Sequence, residues 1–223
     1  MPLAANSAGK AQAVCDPEPG DLRIALLHPS ILGGRSVLPD MSLPSRPDAA
    51  HAVLPPLVLV LGGARSGKSC FAETLIASAG LQAVYIATAE ARDEEMRARI
   101  ATHRARRGAG WTTIEEPLDL ANRLLAEADG TRPILVDCLT LWLANLMAAE
   151  GDIGFEIERL RATLPQVKAP VVMVANEVGL GIVPENDLAR RFRDHAGRLN
   201  QSIAALADRV VFMAAGLPLA LKG

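Results

Sequence analysis

The residues best suited to chemistry are Gly62-Gly63-Ala64-Arg65-Ser66-Gly67-Lys68-Ser69, which fit the pattern G-x-x-x-x-G-K-[ST]. The spacing suits a phosphate chain. Glycines let the backbone curl until several N–H groups aim at one anion. A helix starting there adds the positive end of its dipole. Lys68 can reach the β- and γ-phosphates, and Ser69 can ligate Mg²⁺. The motif follows the apolar run Leu57–Leu61 and opens a helical stretch, Cys70 to Ala79, the setting that such a P-loop requires. A metal beside it needs a carboxylate, and Ile134-Leu135-Val136-Asp137 is an apolar run ending in an acid. Asp137 has two readings, a contact to metal or nucleotide or a cap on the helix that follows. Cys138 reads as a small buried hydrophobe rather than a nucleophile. The chain has no N-K-x-D, so a signalling GTPase is disfavoured and the residues that read the base are not evident.

Arg92 to Arg107 reads RDEEMRARIATHRARR. Met96, Ile100 and His103 fall on one helical face, and Arg99 and Arg107 each stand four residues from His103. Cations beside an imidazole lower its pKa and keep it neutral, as a nucleophile requires. Arg104, Arg106 and Arg107 could also hold phosphates. The alternative is a satisfied histidine on a solvated face whose arginines pair with Asp93, Glu94 and Glu95. A second segment, Asn176 to Asn186 (NEVGLGIVPEN), should form a loop at the carboxyl end of the sheet, where ligands bind in open α/β folds. Glu177 there either touches substrate or metal or belongs to a structured turn. Beyond it, Leu188, Phe192, Leu199, Ile203 and Leu206 make a stripe that faces the core or another subunit. His195 beside that stripe reads as structural or interfacial. His28 and His51 receive no role.

These residues need a scaffold. Val-, Ile- and Leu-rich runs at Leu57–Leu61, Ala83–Ala87, Ile134–Val136, Val171–Ala175 and Val210–Ala214, with a weaker one at Leu219–Leu221, alternate with helical patterns. Runs this continuously apolar predict strands buried on both faces, in a mostly parallel central sheet with helices on both faces. Half of the 223 residues are hydrophobic and 22% are charged, which supports a core and excludes wholesale disorder. The net charge of -2 supplies no field to hold nucleic acid or an anionic membrane. Aromatics at 3% make base-stacking platforms a poor expectation. No run approaches the roughly 18 apolar residues that span a bilayer, so no stable membrane insertion is expected. The N-terminus lacks a basic stretch followed by an apolar one, so no signal peptide is expected. The widely spaced Cys15, Cys70 and Cys138 form neither a disulfide framework nor a metal knuckle, and a reducing cytoplasm is the default. Residues 1–56 hold most of the prolines and read as a disordered N-terminal extension, or a start codon chosen too far upstream, with a small docking segment as the alternative. The domain is expected to be 57–223.

Taken together, the motifs resemble the bifunctional adenosylcobinamide kinase/adenosylcobinamide-phosphate guanylyltransferase family of cobalamin biosynthesis. The matching pieces are GGARSGKS at 62–69, YIAT at 85–88, DEEMRARIATHR at 93–104, W-x-T-x-E at 111–115, LVDCLTLWLANL at 135–146, NEVGLGIVPENDLARRFRDHAGRLNQ at 176–201 and the closing AAGLPLALKG. They cover nearly all of Leu57 to Gly223 and none of residues 1–56. The resemblance implies a RecA-like P-loop NTPase fold and a homotrimer. It implies phosphorylation of adenosylcobinamide with ATP or GTP. GMP then passes from GTP to adenosylcobinamide phosphate through a guanylyl-histidine, giving adenosylcobinamide-GDP and pyrophosphate. By resemblance His103 is that histidine. Some relatives have two adjacent histidines; here the pair is Thr102-His103, so only the second can serve. Lys68 carries over as the other catalytic residue. Nucleotide contacts carry over to Gly62, Gly63, Ala64, Arg65, Ser66, Gly67, Lys68 and Ser69, to Ala87, Thr88 and Ala89, to Arg104, Ala105, Arg106 and Arg107, and to Glu115 and Asp137. Mg²⁺ falls to Ser69 and Asp137. The rival readings are a RecA-like motor or switch and a single-function kinase.

Overall fold

In the computed structural model, which describes residues 53–80, 82–90, 94, 110–128, 130 and 132–223, the apolar runs become strands of one sheet. The chain divides into two units, Met1–Asp48 and Ala49–Gly223, and every described residue lies in the second. The strands are β1 Leu57–Gly62, β2 Ala83–Ala87, β3 Trp111–Glu115, β4 Ile134–Asp137, β5 Val171–Asn176, β6 Arg209–Ala214 and β7 Leu217–Lys222. Their order is β3-β2-β4-β5-β1-β6-β7. Every pairing is parallel except β6 with β7. The helices whose ranges are described are α1 Lys68–Ala77, α2 Leu120–Ala126, α3 Leu139–Ala148, α4 Ile153–Thr163 and α5 Asp187–Leu206.

Strand alternation builds two cores. Leu57, Leu59 and Leu61 join Ile86, Val136 and Met173 in one core, with Leu124 of α2, Trp142 of α3, Leu160 of α4 and Leu199 of α5. Val58 and Val60 join Tyr85, Leu135, Val174 and Val211 in the other, under Ala72 and Ile76 of α1. Helices therefore cover both faces, so the inner strands show no polar face and read as continuous apolar runs. Each fully buried leucine or isoleucine contributes about 1.5–3 kcal/mol of transfer free energy.

Three details differ from the sequence reading. β3 has no apolar run because it is an edge strand, with Thr112 and Glu115 exposed. The weak run at Leu219–Leu221 is the middle of β7, an antiparallel edge strand exposed at all six positions. In α5 only part of the apolar stripe faces the core: Leu199 and Ile203 are buried, Phe192 and Leu206 pack partly, and Leu188 is 59% exposed. Packing also reaches ahead of residue 57. Leu54 is 7% exposed within the α1-side core, and the Pro56 carbonyl accepts from the Val171 N–H. Leu54→Ala is therefore expected to lower stability by about 2–3 kcal/mol in denaturant unfolding. An unchanged midpoint would show that Leu54 lies against the domain without supporting it. Residues 1–52 lie outside the described residues, as do Arg92–Arg107 apart from the exposed, helical Glu94.

Candidate nucleotide-binding site

Because β1 to β6 are parallel, their carboxyl ends form one edge that brings together Gly62, Ala87, Glu115, Asp137 and Asn176. Ligands of open α/β sheets bind outside this edge. The loop leaving β1 has an unusual backbone. Gly62 has φ 149°, Arg65 φ 57° and Gly67 φ 97°. A Cβ on Gly62 would come within 2.5 Å of the Met213 carbonyl oxygen, so only glycine fits. Gly67 caps α1 without any side-chain hydrogen bond, and no acid stands in the first turn. The helix therefore presents its N-terminal dipole uncompensated. The Lys68 ammonium turns back and donates to the Gly63 carbonyl at 2.6 Å. Burial pushes that ammonium below its ordinary pKa, and Cys138 and Asp137 oppose the shift. Among the described residues Ser66 Oγ is buried without a hydrogen-bond partner, an orphan that an anion in the loop would satisfy. Ala64 and Arg65 are exposed at the loop's tip, and Ser69 is half-buried.

The far side of the loop rests on the β6–β7 hairpin. Ala215 and Gly216 both have positive φ, 50° and 80°, as a two-residue hairpin turn requires. The Gly216 N–H donates to the Ser66 carbonyl at 3.0 Å, and a Cβ on Gly67 would meet Gly216 Cα at 3.3 Å. Sequence reasoning missed this brace, which joins residues far apart in the chain.

Asp137 does not cap the next helix. Cys138 occupies the N-cap of α3 with no side-chain bond, because Asp137 is still within β4. Its Oδ2 instead accepts from the Tyr85 hydroxyl at 3.1 Å. Thr88 is fully buried, and its hydroxyl donates to the Cys138 carbonyl at 2.7 Å and accepts from the Cys138 N–H at 2.8 Å. The Thr88 carbonyl accepts from Asn145 Nδ2 at 2.7 Å. Thr88 thus clamps the turn after Asp137, with Ala87 buried in β2 and Ala89 half-buried beyond it. Two strand spacings separate β4 from β1, on the order of 10 Å. Asp137 and Ser69 offer hard oxygens on the two sides of that gap, a donor set suited to Mg²⁺. Glu115 ends β3, exposed and in register with Ala87.

Burial in this clamp pushes the Cys138 thiol up to about 11, with Asp137 adding to the shift. The expected result is that Cys138 resists alkylation in the folded protein at pH 8 and reacts after denaturation, read by peptide mass mapping. Labelling at equal rates in both states would contradict the burial. The folded thiol holds its proton above the ordinary thiol value of 9.0, so its contribution to stability is complete below pH 9 and is lost between about pH 9 and 11.

The remaining candidates fall apart in space or outside view. His103 and Arg104, Ala105, Arg106 and Arg107 lie outside the described residues. The Glu177 N–H donates to the Gly62 carbonyl at 3.0 Å, while its carboxylate accepts from the Gly179 N–H and closes its own turn. His195 is half-buried in α5, in a groove with Glu158 of α4, on the face of the sheet opposite α1. That position keeps it with the scaffold. Tyr85 was visible only as part of the YIAT piece, because a lone tyrosine in an apolar run reads as core.

A P-loop opening a helix, at the carboxyl edge of a parallel sheet, defines a P-loop nucleotide-binding α/β domain. Residues 58–221 match the family model described as cobinamide kinase/cobinamide phosphate guanyltransferase. The bifunctional adenosylcobalamin biosynthesis protein CobP of Pseudomonas aeruginosa is 53% identical over 167 residues, spanning 74% of this chain and 96% of that one. The bifunctional adenosylcobalamin biosynthesis proteins CobU of Salmonella typhimurium and Escherichia coli are 44% and 41% identical, each over 74% of this chain and 99% of theirs. The chain belongs to the cobinamide kinase/cobinamide phosphate guanyltransferase family. Among solved structures, the flagellar accessory protein FlaH of Methanocaldococcus jannaschii is 14% identical with a TM-score of 0.48, over 78% of this chain and 81% of that one.

Proposed function

We propose that the protein phosphorylates adenosylcobinamide with ATP or GTP and then transfers GMP from GTP to adenosylcobinamide phosphate. The observation that carries the reading is a complete P-loop at a parallel sheet edge in a chain of this family. In the kinase step the substrate hydroxyl attacks the γ-phosphorus in line, and the nucleoside diphosphate leaves. Lys68 supplies fixed positive charge where negative charge develops. Gly62 through Ser69 would hold the phosphates, with Ala87, Thr88, Ala89, Glu115 and the Arg104–Arg107 run around the rest of the nucleotide. Thr88 would act there through the turn it clamps. Ser69 and Asp137 would hold Mg²⁺, which would neutralise phosphate charge when bound. In the second step neutral His103 would attack the α-phosphorus of GTP and release pyrophosphate. The substrate phosphate would then displace the histidine and carry off GMP.

The same reading places the protein in the cytoplasm as a homotrimer. Leu217, Leu219 and Leu221 lie 71%, 59% and 57% exposed at alternate positions of β7, and an apolar sheet edge of this kind favours a second copy. Among the described residues no helix is long and apolar enough to cross a membrane. The test is intact-protein mass spectrometry after incubation with GTP and Mg²⁺. The expected species is the chain plus one GMP, discharged on adding adenosylcobinamide phosphate. No adduct under conditions of turnover would remove the histidine route.

A further inference from the structure

β5 lies between the strand that carries the P-loop and the strand that ends in Asp137. Its last residue, Asn176, is directly opposite Gly62 in the pairing. Asp137 pairs with Val174, one same-face position earlier, so Asn176 and Asp137 are diagonal neighbours. Alternation fixes the face. Met173 and Ala175 enter the core away from α1, whereas Val172 and Val174 enter the core beneath α1. Asn176 continues the second set, on the face that also carries Gly62 and Asp137.

The backbone of this residue is held by two dedicated side chains. The Asn176 N–H donates to Thr140 Oγ1 at 2.6 Å, and its carbonyl accepts from Asn200 Nδ2 at 3.2 Å. Thr140 and Asn200 are only 8% and 6% exposed. Placing polar side chains in a core is costly unless they are satisfied, and here both serve one residue. The next N–H, of Glu177, binds the Gly62 carbonyl and joins the end of β5 to the P-loop. The side-chain amide of Asn176 is half-buried and makes no hydrogen bond among the described residues. The clamp holds the residue still and leaves its functional group uncommitted.

We infer that Asn176 is a catalytic residue of the kinase step, with its amide hydrogen-bonded to the γ-phosphate and the incoming hydroxyl. The inference rests on the kinase reading above. An amide offers a donor to a phosphate oxygen and an acceptor to a hydroxyl while adding no charge. Attack forms the bond from hydroxyl oxygen to γ-phosphorus as the bond to the bridging oxygen breaks. The nucleoside diphosphate leaves with that electron pair, and the hydroxyl proton leaves on an oxygen of the transferred phosphate. Asn176 accepts no proton; it orients both reactants and stabilises charge on the equatorial oxygens.

The test compares Asn176→Ala and Asn176→Asp with the unaltered protein in three assays. The expected loss in kinase kcat is about 10²-fold for the alanine variant, the scale of removing one oriented donor. It should be larger for the aspartate variant, whose charge opposes the phosphate. GTP binding by titration and GMP uptake by mass spectrometry should stay within about threefold of normal for the alanine variant, since attack at the α-phosphorus does not use this group. Kinase kcat within threefold of normal would overturn the assignment. A proportionate fall in all three assays would also overturn it, by showing a structural role. The unaltered protein tests the underlying reading: if it binds GTP but phosphorylates no adenosylcobinamide, that reading and the role of Asn176 fall together.

Discussion

Lys68→Ala is expected to abolish both nucleotide-dependent steps, lowering each rate by about 10²-fold or more. The cause lies in where the ammonium sits. Lys68 opens α1, is 7% exposed and turns back onto the Gly63 carbonyl, so its charge is fixed inside the curve of the loop. A cation held in a partly desolvated site stabilises developing phosphate charge far more than one in water. Arg65, at the exposed tip with left-handed backbone, is no substitute. The measurement is kinase and guanylyl-transfer rates on the same preparation, with far-UV circular dichroism to confirm folding. Near-normal rates for either step would separate that step from the P-loop and end the shared-site account.

His103→Ala is expected to remove GMP uptake and guanylyl transfer while leaving a measurable kinase rate. The kinase step brings its own nucleophile, the substrate hydroxyl, and needs the protein only for positioning and charge. Guanylyl transfer needs a protein group that forms and releases a phosphoramidate, and a neutral imidazole does so near pH 7. Thr102 has no base of its own, and a helix would turn it about 100° from the face of His103. The adduct on the unaltered protein should hydrolyse in acid, as phosphoramidates do. Continued GMP uptake by the alanine variant would exclude His103, and an acid-stable adduct would move the assignment to Thr102.

The scaffold was legible in the sequence because strands buried on two faces must be apolar throughout, as Leu57–Leu61 and Val171–Ala175 are. The P-loop was legible for a different reason: its glycines are demanded by local backbone geometry, and local demands leave a local pattern. Trp111–Glu115 escaped notice as a strand because an edge position relaxes the need for burial. The hydrogen bond from Tyr85 to Asp137 and the clamp on Asn176 by Thr140 and Asn200 were invisible. Each joins segments whose proximity only the strand order creates. His195 shows the converse. Its place beside an apolar stripe read as structural or interfacial, and its position among α4 and α5, across the sheet from α1, agrees with a residue of the scaffold.

The strand order also sets a timetable for synthesis. Among the described strands β1 is translated first, yet its two neighbours in the sheet, β5 and β6, are among the last. The glycine loop that leaves it rests on Met213 of β6 and on Gly216 of the turn after β6. Contacts between such distant parts of a sequence form late, and the ribosome delivers them in order. The nascent P-loop must therefore wait, unshaped, while most of the remaining domain emerges. Ribosome-bound chains halted before β6 are expected to retain no GTP, and retention by them would show that α1 alone can shape the loop. On that expectation, a product truncated before β6 does not sequester GTP.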